Sequence, residues 1–251
     1  DFTIGSDGVP VCMAGLKMRH DGVEQAKLRS KFRCPLMNRI TGVCSCENPC
    51  STSKFGRTVH LAMKDNPRLI SYPNACMEDI SYLPDRNLDA DLLLRLGTCK
   101  YISDFRNVVV QGATGSGKTY IATALGVAAI RQFYQVKYIR LPDLLCDLQT
   151  ARAMETFRTV VNNYAKIRVL ILDEWLLYPL KEAEARDVLE LVEARNKVAS
   201  TIFCSQYDTS EWHENLYDPT LADAICDRII YNAYTVQIEG ESMRKRMGMT
   251  E

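Results

Sequence analysis

From Ser71 onward the apolar and polar positions switch between two periods, and each switch marks an element. Asn107–Gln111 (NVVVQ) and Ile167–Leu172 (IRVLIL) are short β-branched runs of the kind that buried parallel strands need. Val136–Leu141 (VKYIRL) alternates, as a strand with one polar face does, and Ser200–Cys204 reads as a fourth strand ending at Ser205–Gln206. Between these runs the spacing becomes helical. An Ala-rich stretch follows residue 118, Pro142–Asp143 opens a helix toward Ala153, and Ala183–Lys197 is amphipathic. After the turn signal Tyr72–Pro73–Asn74–Ala75, Leu88, Leu92, Leu93, Leu96 and Ile102 predict a lead-in helix, and Leu221–Cys226 predicts another that Asp227–Arg228 closes. Strands alternating with helices predict an α/β fold, a central parallel sheet flanked by helices.

The first of those strands runs into Gly112-Ala113-Thr114-Gly115-Ser116-Gly117-Lys118-Thr119, a complete GxxxxGK pattern closed by Thr. Glycines at 112, 115 and 117 let consecutive N–H groups turn inward, and a helix starting near Lys118 adds its positive end, so the loop is expected to cradle the phosphates of ATP. Lys118 is expected at the β/γ-phosphates and Thr119 at Mg²⁺. The second strand ends in Asp173-Glu174. Beside a P-loop, such a pair supplies what hydrolysis needs: Asp173 to hold the metal's water shell and Glu174 to polarise the attacking water. Together these make the chain a P-loop NTPase. At the end of the fourth strand, on the edge where ligands of open α/β sheets collect, Gln206 or Ser205 is placed to orient water. Arg228 either salt-bridges locally or protrudes toward a neighbour's nucleotide as an arginine finger.

Composition changes the picture mainly at the N-terminus. The chain has 251 residues, 47% hydrophobic and 25% charged, enough for one sizeable α/β core with a small appendage. It has no apolar run of membrane-span length and no segment of signal-peptide kind. A cytoplasmic protein is expected, and the initial Asp1 suggests a processed chain or a piece of a longer one. The formal charge is zero but uneven: residues 1–70 hold 11 Lys and Arg against 6 Asp and Glu, and residues 71–251 hold 20 against 25. That contrast separates a basic segment, 1–70, from an ATP-binding domain, 71–251. Lys27, Arg29, Lys31 and Arg33 alternate, which would put four charges on one face of an extended run, as a nucleic-acid contact or a solvated face. Ten cysteines without a secretion signal read as thiols or metal ligands. Cys34, Cys44, Cys46 and Cys50 could hold one Zn²⁺ tetrahedrally, or they are free thiols, since their spacing lacks paired CxxC knuckles.

Two resemblances rest on these residues. Arg33-Cys34-Pro35, the cysteine cluster, Cys50 to His60 and Asn66-Pro67-Arg68-Leu69 resemble a cysteine-bearing internal region of certain bacterial DDE transposases, although no catalytic carboxylate triad can be assigned. Residues 71–251 resemble the IstB-like ATPases, transposition helpers related to the helicase loader DnaC within the AAA+ superfamily. That resemblance is carried by Tyr72 to Ile80, Asp85 to Leu93, the P-loop, Leu170 to Glu174, Ser200 to Gln206, Ala222 to Arg228 and Gly240 to Arg246. It implies that Asp173 and Glu174 are the Walker B pair, that Ser205-Gln206 lies in the sensor 1 region, and that Arg228 is the arginine finger. It also implies an ATPase that forms ATP-dependent homo-oligomers on double-stranded DNA and passes target DNA to a DDE transposase. The family's helpers begin with a small helical domain, which residues 1–70 do not resemble. A DnaC-like helicase loader is the competing reading, and a zinc-stapled DNA-binding module with a nucleotide-gated scaffold is a third.

Overall fold

The computed structural model describes residues 75–248 and, before them, the backbone of five short strands. Contacts divide the chain into two units, Asp1–Asp65 with Ile130–Tyr134, and Asn66–Ala129 with Gln135–Glu251. In the first unit, β1 (Thr3–Ile4) pairs antiparallel with β2 (Pro10–Val11), and β3 (Arg19–Glu24), β4 (Arg29–Arg33) and β5 (Thr58–Ala62) form an antiparallel sheet in that order. Three of the four alternating basic residues, Arg29, Lys31 and Arg33, fall in β4.

The second unit is built on five parallel strands: β6 (Asn107–Gly112), β7 (Val136–Arg140), β8 (Val169–Trp175), β9 (Ser200–Ser205) and β10 (Ala233–Ile238). Their order across the sheet is β10-β6-β9-β8-β7. β6 is therefore an inner strand next to the edge strand β10, its successor β7 lies at the far edge, and β8 and β9 return to fill the gap. Such a reversal opens a crevice at the C-terminal ends of the strands. Helices α1 (Ala90–Gly97) and α2 (Lys100–Ser103) lead in; α3 (Lys118–Arg131), α4 (Leu141–Ala153), α5 (Phe157–Ala165) and α6 (Glu182–Arg195) follow, then α7 (Trp212–Asn215), α8 (Pro219–Ile230) and α9 (Met243–Gly248).

The local reasons are visible in the sequence. α3 packs through Ile121, Ala122, Ala124 and Leu125, all buried, because alanines let a helix lie close to a sheet. α1 starts at Asp89, whose carboxylate accepts the Leu92 N–H at 2.8 Å, a side-chain N-cap. Trp175, Phe203 and Trp212 meet edge-on, with ring centroids 4.7 and 5.6 Å apart for Trp175 with each partner, and close the core beneath the crevice. Three boundaries differ from expectation. The lead-in is two helices, broken at Cys99 with φ 60°. β8 runs on through Asp173 and Glu174 to Trp175. α8 does not close at Arg228 but continues to Ile230, since buried Ile225, Cys226 and Ile229 keep its apolar stripe going.

Candidate functional site

The crevice is lined by the ends of β6, β8 and β9. At the end of β6, Gly112 has φ 151°, and a Cβ there would collide with the Ile238 carbonyl of β10. Gly115 has φ 81° and faces Ser242, which again leaves no room for a Cβ. These two positions demand glycine for conformation and for space. The strand end is fixed by Gln111, whose amide donates to Asp208 at 2.6 Å and also to Gln237, tying β6 to β10 and to the loop after β9.

Lys118, at the start of α3, donates through Nζ to the carbonyls of Gly112 at 2.6 Å and Ala113 at 2.9 Å. Its charge thus lies across the mouth of the turn. The Ser116 hydroxyl, in a residue only 1% exposed, has no hydrogen-bond partner within the described structure. A glycine-built loop, a lysine spent on its own carbonyls and an orphaned hydroxyl fit an anionic ligand, as the phosphates of a nucleotide would be.

Asp173 sits opposite, nearly buried. Its Oδ2 accepts the Thr119 hydroxyl at 2.9 Å and the Tyr138 hydroxyl at 2.6 Å, and its Oδ1 accepts the Glu174 N–H at 2.9 Å. A hydroxyl and a carboxylate oxygen in contact are the two protein groups that a largely hydrated Mg²⁺ uses in such sites, so the residues present fit that ion. Glu174 has φ 57°, in the left-handed region, and the pairing of β8 with β9 slips between Leu172 and Trp175. This bulge turns Glu174 out of the strand, where its carboxylate lies 3.8 Å from Arg140, itself bonded to Asp143 at 2.9 Å. From β9, the Gln206 side-chain oxygen accepts the Thr114 hydroxyl of the P-loop at 2.9 Å. Beside the loop opens a cavity of about 340 Å³, lined by Ile80, Arg86, Gly117, Thr119, Tyr120 and Met243 among others, within the range of small-molecule sites.

Comparison with known proteins settles what this arrangement belongs to. A family model described as "IstB-like ATP binding protein" matches residues 57–250. The chain belongs to the IstB-like ATP-binding proteins. It is similar to the insertion-sequence ATP-binding protein y4pL of Sinorhizobium fredii, 39% identical over 68% of this chain and 70% of that protein. A second such protein of the same organism, y4uH, is 36% identical over 74% of each chain. Among solved structures, the DnaC helicase loader superposes with a TM-score of 0.54 at 15% identity, covering 66% of this chain and 99% of that one, a likeness of fold. Membership makes the chain an ATP-binding, AAA+-type ATPase of the class that serves transposition.

The IstB-like match begins at residue 57, so it takes in residues 57–70, which the charge contrast groups with the N-terminal segment. Cys34, Cys44, Cys46 and Cys50 lie outside the described residues; among the described ones, no cluster of three or more His, Cys, Asp or Glu could hold a metal. Among the same residues, no helix is long and apolar enough to cross a membrane.

Two of the expected polar residues are engaged within the fold. Ser205 is buried; its hydroxyl donates to the Trp175 carbonyl at 3.2 Å and accepts the Tyr207 N–H at 3.1 Å. It braces the ends of β8 and β9 and its one donor is spent there, whereas Gln206 is the residue of the pair that meets the P-loop. Arg228 forms its salt bridge with α6. It donates to the Ala224 carbonyl at 2.7 Å and to Glu193 of α6 at 2.7 Å, half-exposed, so a finger role would require it to leave Glu193.

The residues that motif reading missed are Tyr138, Arg140 and Arg86. Tyr138 and Arg140 sit on β7, and the register that sets Arg140 beside Asp173 brings them to the carboxylate pair. Tyr138 and Arg140 stand two positions apart, so on a strand they share one face.

Proposed function

We propose that the chain is an ATP-hydrolysing helper of transposition, in which the crevice at the ends of β6, β8 and β9 binds MgATP and governs assembly on double-stranded DNA. The observation that carries this reading is the contact of Thr119 and Tyr138 with one oxygen of Asp173, directly beside a P-loop, in a chain of the IstB-like family. Lys118 would exchange the Gly112 and Ala113 carbonyls for the β/γ-phosphates, a stronger charge-assisted partner. The amides of residues 113–118 would hold the phosphates, with Thr119 and Asp173 holding Mg²⁺. That ion, when bound, neutralises charge on the transferring phosphoryl group. Glu174 would accept a proton from the attacking water once drawn away from Arg140, and Gln206 would help to hold that water. Arg228 would reach a neighbouring subunit's nucleotide after exchanging Glu193 for the phosphate.

Double-stranded DNA, a DDE transposase and ATP-dependent self-assembly are inferred from the insertion-sequence relatives, whose descriptions tie ATP binding to such elements. The DnaC-like loader reading has the fold likeness behind it, whereas the family match points to transposition. Zinc at Cys34, Cys44, Cys46 and Cys50 is part of the proposal, checked by elemental analysis of the intact chain and of variants lacking two of these thiols. The experiment that tests the whole is phosphate release with and without duplex DNA, measured alongside particle size. DNA and ATP together should enlarge the particle and raise turnover; a particle size and a turnover indifferent to DNA would sink the assembly reading. Mixing Arg228→Ala with Lys118→Ala should then recover activity at interfaces that pair an intact P-loop with an intact arginine.

A further inference from the structure

Two segments remote in sequence grip the P-loop from outside. The turn Pro84–Arg86 presents Arg86, only 4% exposed, whose guanidinium donates to the Ser116 carbonyl at 2.7 Å and to the Ser81 carbonyl at 2.5 Å. The run after β10 supplies the second hold: the Met243 N–H donates to the Gly115 carbonyl at 2.9 Å, with Ser242 packed against Gly115. The two holds are also fastened to each other. Asp85 pairs with Arg246, the Glu239 N–H donates to the Arg86 carbonyl at 3.0 Å, and Gly240, with φ 80°, leaves no room for a Cβ beside Asp85.

The direction of these bonds matters more than their number. In a planar trans peptide the carbonyl and the following N–H point opposite ways. Holding the carbonyls of Gly115 and Ser116 from outside therefore aims the N–H groups of Ser116 and Gly117 inward, where phosphate oxygens would sit. The Ser116 N–H donates to the Ala113 carbonyl at 3.2 Å, a bond it would exchange for a phosphate oxygen.

We propose that Asp85, Arg86 and the segment Glu239–Arg246 form a clasp that presets the P-loop amides for phosphate, and that the same clasp reports nucleotide occupancy to the C-terminal segment. The inference rests on the reading of the crevice as a nucleotide site. These are positioning residues, acting through the loop. Because coupling is reciprocal, whatever the clasp adds to nucleotide affinity the nucleotide adds to the clasp. The Asp85–Arg246 pair is partly exposed, so its share is smaller than that of Arg86.

The test is calorimetric titration of the full chain with MgADP, together with the rate of trypsin cleavage within residues 244–246. Arg86→Gln should weaken MgADP about tenfold, and Asp85→Ala or Arg246→Ala about threefold to fivefold each. The double variant Asp85→Ala with Arg246→Ala should be no weaker than either single one, because the pair acts as a unit. MgADP should slow tail cleavage in the parent and much less in Asp85→Ala. A merely structural role would lower the melting temperature of the two exposed-pair variants and leave their MgADP affinity and tail protection at the parent's values, and that result overturns the clasp. If Arg86→Gln fails to fold, the Asp85 and Arg246 variants decide alone. A parent chain that does not bind MgADP overturns the nucleotide reading and the clasp with it, and is recognised because Lys118→Ala then changes nothing.

Discussion

At the N-terminal end of β8 and β9, the guanidinium of buried Arg195 donates to the carbonyls of Tyr164, Ile167 and Ser200 and to the Thr201 hydroxyl, at 2.5 to 2.9 Å. Around the crevice at the opposite end of the sheet, several buried polar groups are left with capacity to spare. Arg86 Nε, Gln111 Oε1, Ser116 Oγ and Trp175 Nε1 have no hydrogen-bond partner there, and Glu174 and Leu176 hold φ above 50°. One sheet thus has an end built for stability and an end built for binding. Burial pulls the Arg195 pKa down to about 9, a measure of what removing the charge from water costs, and the network of acceptors offsets that cost. The crevice end has unspent donors and acceptors, as expected where a polar ligand completes the bonding.

Substitutions at the two ends should separate binding from stability, and the largest effect is expected at Lys118. Lys118→Ala should reduce ATP affinity by about a thousandfold, the loss of a preorganised charge on phosphate, while its melting temperature without nucleotide stays within about 2 °C of the parent's. Titration and thermal melting of the same sample check both halves. Arg195→Met should do the reverse. It orphans several buried acceptors and should cost about 3 kcal/mol in denaturant unfolding, with ATP affinity of the folded fraction unchanged. The smallest effect sharpens the comparison inside the crevice: Tyr138→Phe removes one of the donors that hold Asp173 and should weaken Mg²⁺-dependent nucleotide binding about tenfold, with little change in Mg²⁺-free binding. Equal losses with and without Mg²⁺ would show that Tyr138 supports the loop and not the metal site.

How much of this was legible in the sequence depends on the range of the contact. The P-loop and the Asp173–Glu174 strand end are local patterns, and their strands and helices form where periodicity puts them. The clasp is not local. Arg86 lies 30 residues before its acceptor Ser116, and Met243 grips Gly115 through backbone atoms that no side-chain pattern encodes. Arg228 likewise finds Glu193, 35 residues away, a partner that no local pattern reveals. The pair Ser205-Gln206 was correctly placed at a strand end, but only burial tells which of the two is spent on the core. The bulge that turns Glu174 outward is a property of the β8–β9 register, which a single strand does not reveal.

The central claim is that the crevice end of the sheet binds ATP and hydrolyses it, with Glu174 as the group that activates water. Phosphate release at saturating MgATP, in the presence of duplex DNA, compares the parent with Glu174→Gln most directly. The substitution keeps nearly the same volume and removes the base, so nucleotide affinity should stay within about threefold while turnover falls by about a hundredfold or more. A Glu174→Gln protein that releases phosphate at the parent's rate would contradict the account.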